Sequence, residues 1–375
     1  MNQTLASVPT PRVLIDRTRL NHNIATMQAR ARDAGVRLRP HAKTHKSPEI
    51  ARWQIEAGAV GICCAKLGEA EVFADAGIRD IRLPYPVHPS NAARVLALAD
   101  RVTLSIIVDD LTVAEAWSRA MQAKGRRLNV LVKVDVGFHR CGVDPHSPRV
   151  VGTLRSIAEL PGLRFLGLLS HAGQAYGAST PDAIEAIAQE EIGILNTLAA
   201  ALRESGVEVV EISVGSTPTA RFIGQQSGVT EMRPGNYVFF DRTQVGLGAA
   251  AVPDCAMSVL ATVVSRPVPA RVIFDAGSKT LAADILRGVG STVGYGLVFP
   301  ELDSAHPDPS IVIERLSEEH ATARVSPDCR LAIGDRVRIL PNHACVVTNL
   351  ADELLLVDHG AIVGTLPVAA RGKNT

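Results

Sequence analysis

The chain has 375 residues, more than one hydrophobic core usually serves, so two domains are expected. Its 39 basic and 38 acidic residues nearly cancel, which argues against nucleic acid or an anionic membrane surface as partner. No apolar run approaches the ~20 residues of a bilayer span. The opening MNQTLASVPTPRVLID lacks the charged and apolar regions of a secretion signal. Six cysteines in a chain of this length do not make a disulfide scaffold, so a reducing, cytoplasmic compartment is expected.

In chain order, Arg12 to Asp16 reads as a strand that lies too far upstream for the main repeat and is expected to pair with a C-terminal sheet. Eight strand windows follow: 36–43, 61–65, 81–86, 101–109, 128–136, 163–171, 207–216 and 229–238. Helical stretches such as 48–57, 67–76, 111–124, 148–159 and 181–205 separate them. Strands alternating with helices imply right-handed crossovers and a parallel sheet. Eight such units predict an α/β fold with a TIM-type (β/α)8 barrel over 20–248. An open doubly wound sheet is the competing architecture; no G-x-G-x-x-G follows the first strand, which weakens its dinucleotide-binding version. Beyond residue 250, short β-branched runs at 257–265, 271–275, 311–316, 321–325, 335–341, 346–348 and 353–358 predict an all-β domain built from 249–375 together with 1–19.

Polar residues gather at the C-terminal ends of the barrel strands, the catalytic face of such a barrel. Arg39-Pro40-His41-Ala42-Lys43-Thr44-His45-Lys46 leads into Ser47-Pro48-Glu49, a helix start. A lysine in that turn can lose its proton through desolvation and cationic neighbours, and then form a Schiff base. A solvated basic turn is the competing explanation. The other rim clusters weigh against it. His139-Arg140 follows the fifth strand and His171 closes the sixth. Gly215-Ser216-Thr217 closes the seventh, as a phosphate cradle or as a plain Gly/Ser turn that binds nothing, with Gly235, Asn236 and Tyr237 at the eighth. Together these call for pyridoxal 5′-phosphate: Lys43 for its aldehyde, Arg140 for its ring oxygen, His171 against its ring, and Tyr176 in the pocket wall. A second constellation, Pro341-Asn342-His343-Ala344-Cys345, is expected on a strand. There His343 and Cys345 share a face and offer Zn²⁺ two ligands, the third being unidentified. A buried cysteine beside a structural histidine is the alternative.

With these residues assembled, the sequence resembles the D-threonine aldolase and D-serine dehydratase family, metal-dependent pyridoxal-phosphate enzymes of the alanine racemase fold (fold type III). The resemblance runs nearly end to end. It is carried by RPHAKTHK (39–46), GICCAKLGEAE (61–71), VDVGFHRCGV (134–143), SHAGQAYG (170–177), SVGSTPT (213–219), RPGNYVFFD (233–241), DAGSKT (275–280) and PNHAC (341–345). It implies an alanine racemase-like barrel plus β domain, Lys43 as the lysine that binds the cofactor, and a divalent metal at His343 and Cys345. Zinc is favoured by the thiolate, and manganese is the alternative. It also implies a homodimer in which the partner's β domain helps close each site.

Aldolase members of the family carry His-x-Asp at the metal position. His343 with Cys345, SHAGQAYG and SVGSTPT look like the dehydratases; AKTHKSPEIA, GICCAKLGEAE and the C-terminal ARG look like the aldolases. The ligands bear on chemistry most directly. The expected activity is therefore dehydration of D-serine, D-threonine or D-3-hydroxyaspartate to a 2-keto acid and ammonia, with His45 a candidate base or support. The alternative is a D-threonine aldolase releasing glycine and acetaldehyde. An amino-acid racemase needs no metal, so PNHAC argues against it. Non-catalytic pyridoxal-phosphate-binding proteins of this barrel lack the β domain.

Overall fold

The computed structural model describes residues 4–285 and 294–375. The chain forms two compact units. One holds the N-terminal segment up to Thr26, Thr44–Ser47 and Asn236–Gly372; the other holds Met27–Lys43, Pro48–Gly235 and Lys373–Thr375. The first strand, β1 (Arg12–Asp16), belongs to the former. The latter contains eight parallel strands: β2 (Arg37–Leu38), β3 (Ile62–Cys63), β4 (Asp80–Pro86), β5 (Thr103–Val108), β6 (Leu128–Lys133), β7 (Leu163–Leu169), β8 (Glu211–Val214) and β9 (Glu231–Met232).

Their order is β2-β9-β8-β7-β6-β5-β4-β3, and a parallel bridge from His41 to Cys63 joins the two ends, so the sheet curls into a barrel. Every strand falls within, or one residue outside, its expected window. β5, β6 and β8 are almost continuously buried, as parallel strands covered on both faces must be. Helix starts follow local chemistry. Asp110 accepts the amide of Val113 at 2.9 Å, and Thr180 accepts that of Ala183 at 3.1 Å ahead of Pro181. The helix Arg17–Asp33 escaped the sequence expectation because its apolar stripe is diluted by four arginines; it buries Leu20, Ile24, Met27 and Ala31.

The barrel interior holds a charged network. Arg39 donates to Glu231 at 2.8 Å and to Asp80 at 2.5 Å. Arg82 pairs with Glu231 and, at 2.7 Å, with Glu211. Burial pushes the Glu231 carboxyl up, but Arg82, Arg39 and the Ser213 hydroxyl overrule it and hold it at about 2. This carboxylate is ionised in the fold at a pH where the unfolded chain would be protonating. Its stabilisation is therefore complete above its ordinary value of 4.5 and is lost as pH falls toward 2. Glu231→Gln leaves two buried guanidinium groups short of their counter-charge. It is expected to cost about 3–5 kcal/mol, read as a lowered midpoint in urea or thermal unfolding. An unchanged midpoint would contradict the pairing.

The other unit is a nine-stranded, mainly antiparallel sheet. To β1 it adds β10 (Met257–Val268), β11 (Arg271–Phe274), β12 (Leu297–Phe299), β13 (Val312–Leu316), β14 (Ala321–Arg324), β15 (Arg336–Leu340), β16 (Glu353–Asp358) and β17 (Ala361–Pro367). As expected, β1 pairs into this sheet. It runs antiparallel to β10 and parallel to β16, with Leu14 opposite Ser258 and Leu355. Two strands, β12 and β17, were not expected. The run 346–348 is not a strand but part of the helix Ala344–Leu350. Its β-branched Val346, Val347 and Thr348 mislead a local reading, and Val347 and Thr348 are buried on a helical face instead.

Candidate active site

In the barrel unit Lys43 occupies a short 3-10 turn, Ala42–Thr44, directly after β2, where its amide donates to His41 Nδ1 at 3.3 Å. Its side chain is exposed, so the desolvation expected for this lysine does not occur. The desolvated lysine is Lys133, at the end of β6 and only 3% exposed. Burial, helped by Arg233, lowers it to about 7.

His171 follows β7 and donates Nδ1–H to the Gly215 carbonyl at 2.6 Å. Burial, then Lys133, Lys43 and Arg140, drive its pKa well below the usual histidine value, so the ring is neutral. Three cations acting on one imidazole place Lys43, Lys133 and Arg140 around it. Phe138 stands edge-on to the His171 ring, 5.7 Å between centroids, and the exposed Arg140 guanidinium lies 5.1 Å over the Phe138 ring. Tyr176 is half-buried in the turn Gly173–Gly177.

Gly215, Ser216 and Thr217 follow β8 and are buried. Ser216 Oγ meets Thr219 Oγ1 at 2.8 Å, whereas the buried Thr217 Oγ1 has no hydrogen-bond partner. A Cβ built on Gly215 would lie 3.0 Å from the backbone N and the Cβ of Arg233. Gly215→Ala must shift this turn. It is expected to cost about 1–3 kcal/mol of stability, as overpacking does; the midpoint of urea unfolding checks it. Arg233, absent from the expected set, is buried beneath this turn. It donates to Ser213 Oγ at 2.6 Å, to the Val214 carbonyl at 3.0 Å and to the Ser170 carbonyl. Ser170 in turn donates to Glu191, which is wholly buried.

The remaining candidates lie in the sheet unit. β15 ends at Leu340. His343 is the extended residue ahead of the helix Ala344–Leu350, and Cys345 sits in that helix's first turn. The expected strand is thus a strand-to-helix turn. The two side chains nevertheless meet, sharing a hydrogen bond. His343 Nδ1 pairs with Asp284 Oδ2. Cys345 Sγ lies 3.3 Å from Thr44 Oγ1, the residue after Lys43, and 3.8 Å from Asn236 Nδ2. Burial pulls the His343 pKa down, but Cys345, Asp241 and Asp284 overrule it and raise it to about 10. This electronegative pocket is suited to a cation. Among the described residues, no three His, Cys, Asp or Glu side chains are grouped to hold a metal ion, so the pair offers two protein donors.

Asn236 donates its side-chain amide to Asp241, at 2.6 Å, and to Cys345, at 3.8 Å. Tyr237 is fully buried. Gly235 belongs to the barrel unit. His45 is fully buried and accepts the Ser47 amide at 3.1 Å.

Residues 15–243 match the family described as alanine racemase, N-terminal domain, and residues 256–357 match a serine dehydratase domain. The chain is 37% identical over 357 residues to D-threo-3-hydroxyaspartate dehydratase of Delftia sp. (strain HT23), covering 92% of this chain and 93% of that protein. The chain belongs to the D-threonine aldolase and D-serine dehydratase family. Another member, D-threonine aldolase of Arthrobacter sp, is 35% identical over 373 residues, covering 98% and 94% of the two chains. The solved Delftia dehydratase superposes with a TM-score of 0.91 at 36% identity, covering 97% of this chain and 98% of that one. It has also been solved as a histidine-to-alanine variant and as a cysteine-to-alanine variant in its metal-free form, at positions two residues apart. The family's fold, an alanine racemase-like α/β barrel with a separate antiparallel-rich sheet domain, is the one described above.

Proposed function

We propose that this protein is a pyridoxal-phosphate- and divalent-metal-dependent lyase that dehydrates a D-3-hydroxy amino acid to a 2-keto acid and ammonia. The observation that carries the dehydratase assignment is the His343–Cys345 pair. It has the two-residue spacing of the histidine and cysteine altered in the Delftia dehydratase, whose cysteine variant is metal-free. A lyase acting on D-hydroxy amino acids is also common to the dehydratases and aldolases that this chain resembles.

The residues present fit both groups. Thr217 Oγ1 is a buried acceptor and donor without a protein partner, in a turn whose glycine admits close approach, as a phosphate requires. Imidazole nitrogen beside thiolate sulfur suits zinc over manganese. Bound there, the coenzyme supplies an electron sink for charge at Cα, and the cation a Lewis acid for the β-oxygen. The protein supplies the rest. Lys43 Nζ would hold the coenzyme through its aldehyde and would serve as the base for the Cα proton. Neutral His171, fixed through Nδ1 by Gly215, presents a ring face that does not compete for that proton. Arg140 provides fixed positive charge beside it.

Among the described residues the six cysteines form no disulfide, which suits a reducing cytoplasm, and no helix among them is long and apolar enough to cross a membrane. We further propose a homodimer, as the family resemblance implies. The second reading, an aldolase, is favoured by the 35% identity to the Arthrobacter enzyme. One assay separates the two: D-serine, D-threonine and D-threo-3-hydroxyaspartate are incubated with the enzyme, and ammonia, keto acid and glycine are measured together. Equal amounts of keto acid and ammonia support the dehydratase; glycine with an aldehyde overturns it.

A further inference from the structure

We propose that Asp284 and Asp241 are positioning residues that preset His343 and Cys345 for a divalent cation, Asp284 by fixing the imidazole tautomer and Asp241 by fixing the backbone between the two donors. The proposal rests on the metal-dependent reading above and goes beyond it by assigning the groups behind the donors.

Asp284 Oδ2 faces His343 Nδ1. A carboxylate there holds the Nδ1–H, so Nε2 is the nitrogen that a metal takes when it displaces the ring's other proton, and the carboxylate raises the basicity of that nitrogen. Asp284 is itself held in place: its carbonyl accepts Asn342 Nδ2 at 3.0 Å, from the residue just before His343. Two residues upstream, Ala282 is buried with φ +60 and ψ 162, a region almost reserved for glycine. The chain tolerates this conformation where it turns from the helix Ser278–Leu281 toward Asp284.

Asp241 is completely buried and fully used. One oxygen caps the helix Arg242–Gly246 by accepting the Gln244 amide at 3.0 Å. The other accepts Asn236 Nδ2 at 2.6 Å and the Ala344 amide at 2.9 Å. Ala344 is the single residue between the donors, so its pinned N–H fixes the turn that makes His343 and Cys345 converge. Asn236, held by the same carboxylate, also reaches Cys345 Sγ at 3.8 Å. Neither aspartate joins the pair as a third ligand in this geometry.

The test is cation affinity. Full-length enzyme is stripped with EDTA and titrated calorimetrically with Zn²⁺, and Co²⁺ is used to read the thiolate-to-metal absorbance. Asp284→Ala is expected to lower Zn²⁺ affinity 10–100-fold, the usual cost of losing such a partner, while keeping the Co²⁺–thiolate band and the bound coenzyme. Asp284→Asn, which still accepts from Nδ1, is expected to recover part of the loss. Asp241→Asn, milder than alanine at a buried site, is expected to weaken Zn²⁺ similarly and to shift the Co²⁺ spectrum, because the donors diverge. Zn²⁺ affinity of Asp284→Ala within twofold of wild type would overturn the proposal and leave the metal reading intact. Wild-type enzyme that takes up neither cation would overturn the metal reading, and this proposal with it.

Discussion

Lys43→Ala is expected to yield a folded protein without covalently attached coenzyme. Lys43 is exposed and makes no side-chain contact that the fold needs, so the unfolding midpoint should stay close to wild type. Its ε-amine is nevertheless the group assigned to the aldehyde and to the Cα proton. Removing one positioned base costs ~10²–10⁴-fold on its own, so turnover should fall by at least about 10³-fold. Mass measurement after borohydride reduction reads the attachment directly: wild type should carry the coenzyme's added mass and the variant should not. A variant that keeps that mass would move the attachment to another amine. Lys133 is then the first to examine, since burial already lowers it to about 7.

Cys345→Ala is expected to leave the coenzyme attached and to remove the metal together with most of the activity. A Lewis acid supplies several kcal/mol of charge stabilisation. At about 1.4 kcal/mol per tenfold, that is a loss of roughly 10²–10³-fold. Treatment of wild type with EDTA should reproduce the loss, and added Zn²⁺ should restore wild type but not the variant. The site also explains why metal uptake should weaken as pH falls. Cys345, Asp241 and Asp284 raise the His343 pKa to about 10, and a metal must displace the proton that this favours. Full turnover in enzyme shown to be metal-free would remove His343 and Cys345 from the chemistry.

Much of this was legible in the sequence because parallel strands are read by their apolar runs. The windows 101–109, 128–136 and 163–171 contain β5, β6 and β7, and the polar rim residues come directly after them. The Ser47-Pro48-Glu49 signal placed the helix Pro48–Glu56. Local pattern failed where tertiary packing decides. The β-branched run after Cys345 is helical because one face is buried, and the expected strand at His343 became a turn. Burial was also assigned to the wrong lysine. Nothing local distinguishes exposed Lys43 from buried Lys133; that difference comes from the strands around β6. Asp284 carries no motif at all, and its partner His343 is fifty-nine positions away.

The central place of β1 has a consequence for how the protein is made. Leu14 leaves the ribosome well before its neighbours in the finished sheet, Ser258 and Leu355. At ~10 residues per second, the second neighbour appears about half a minute later. Throughout that interval an apolar strand has both edges open, a state prone to mispairing with other nascent chains. Yield in a host should therefore respond to growth temperature and chaperone supply more than the stability of the completed enzyme would suggest.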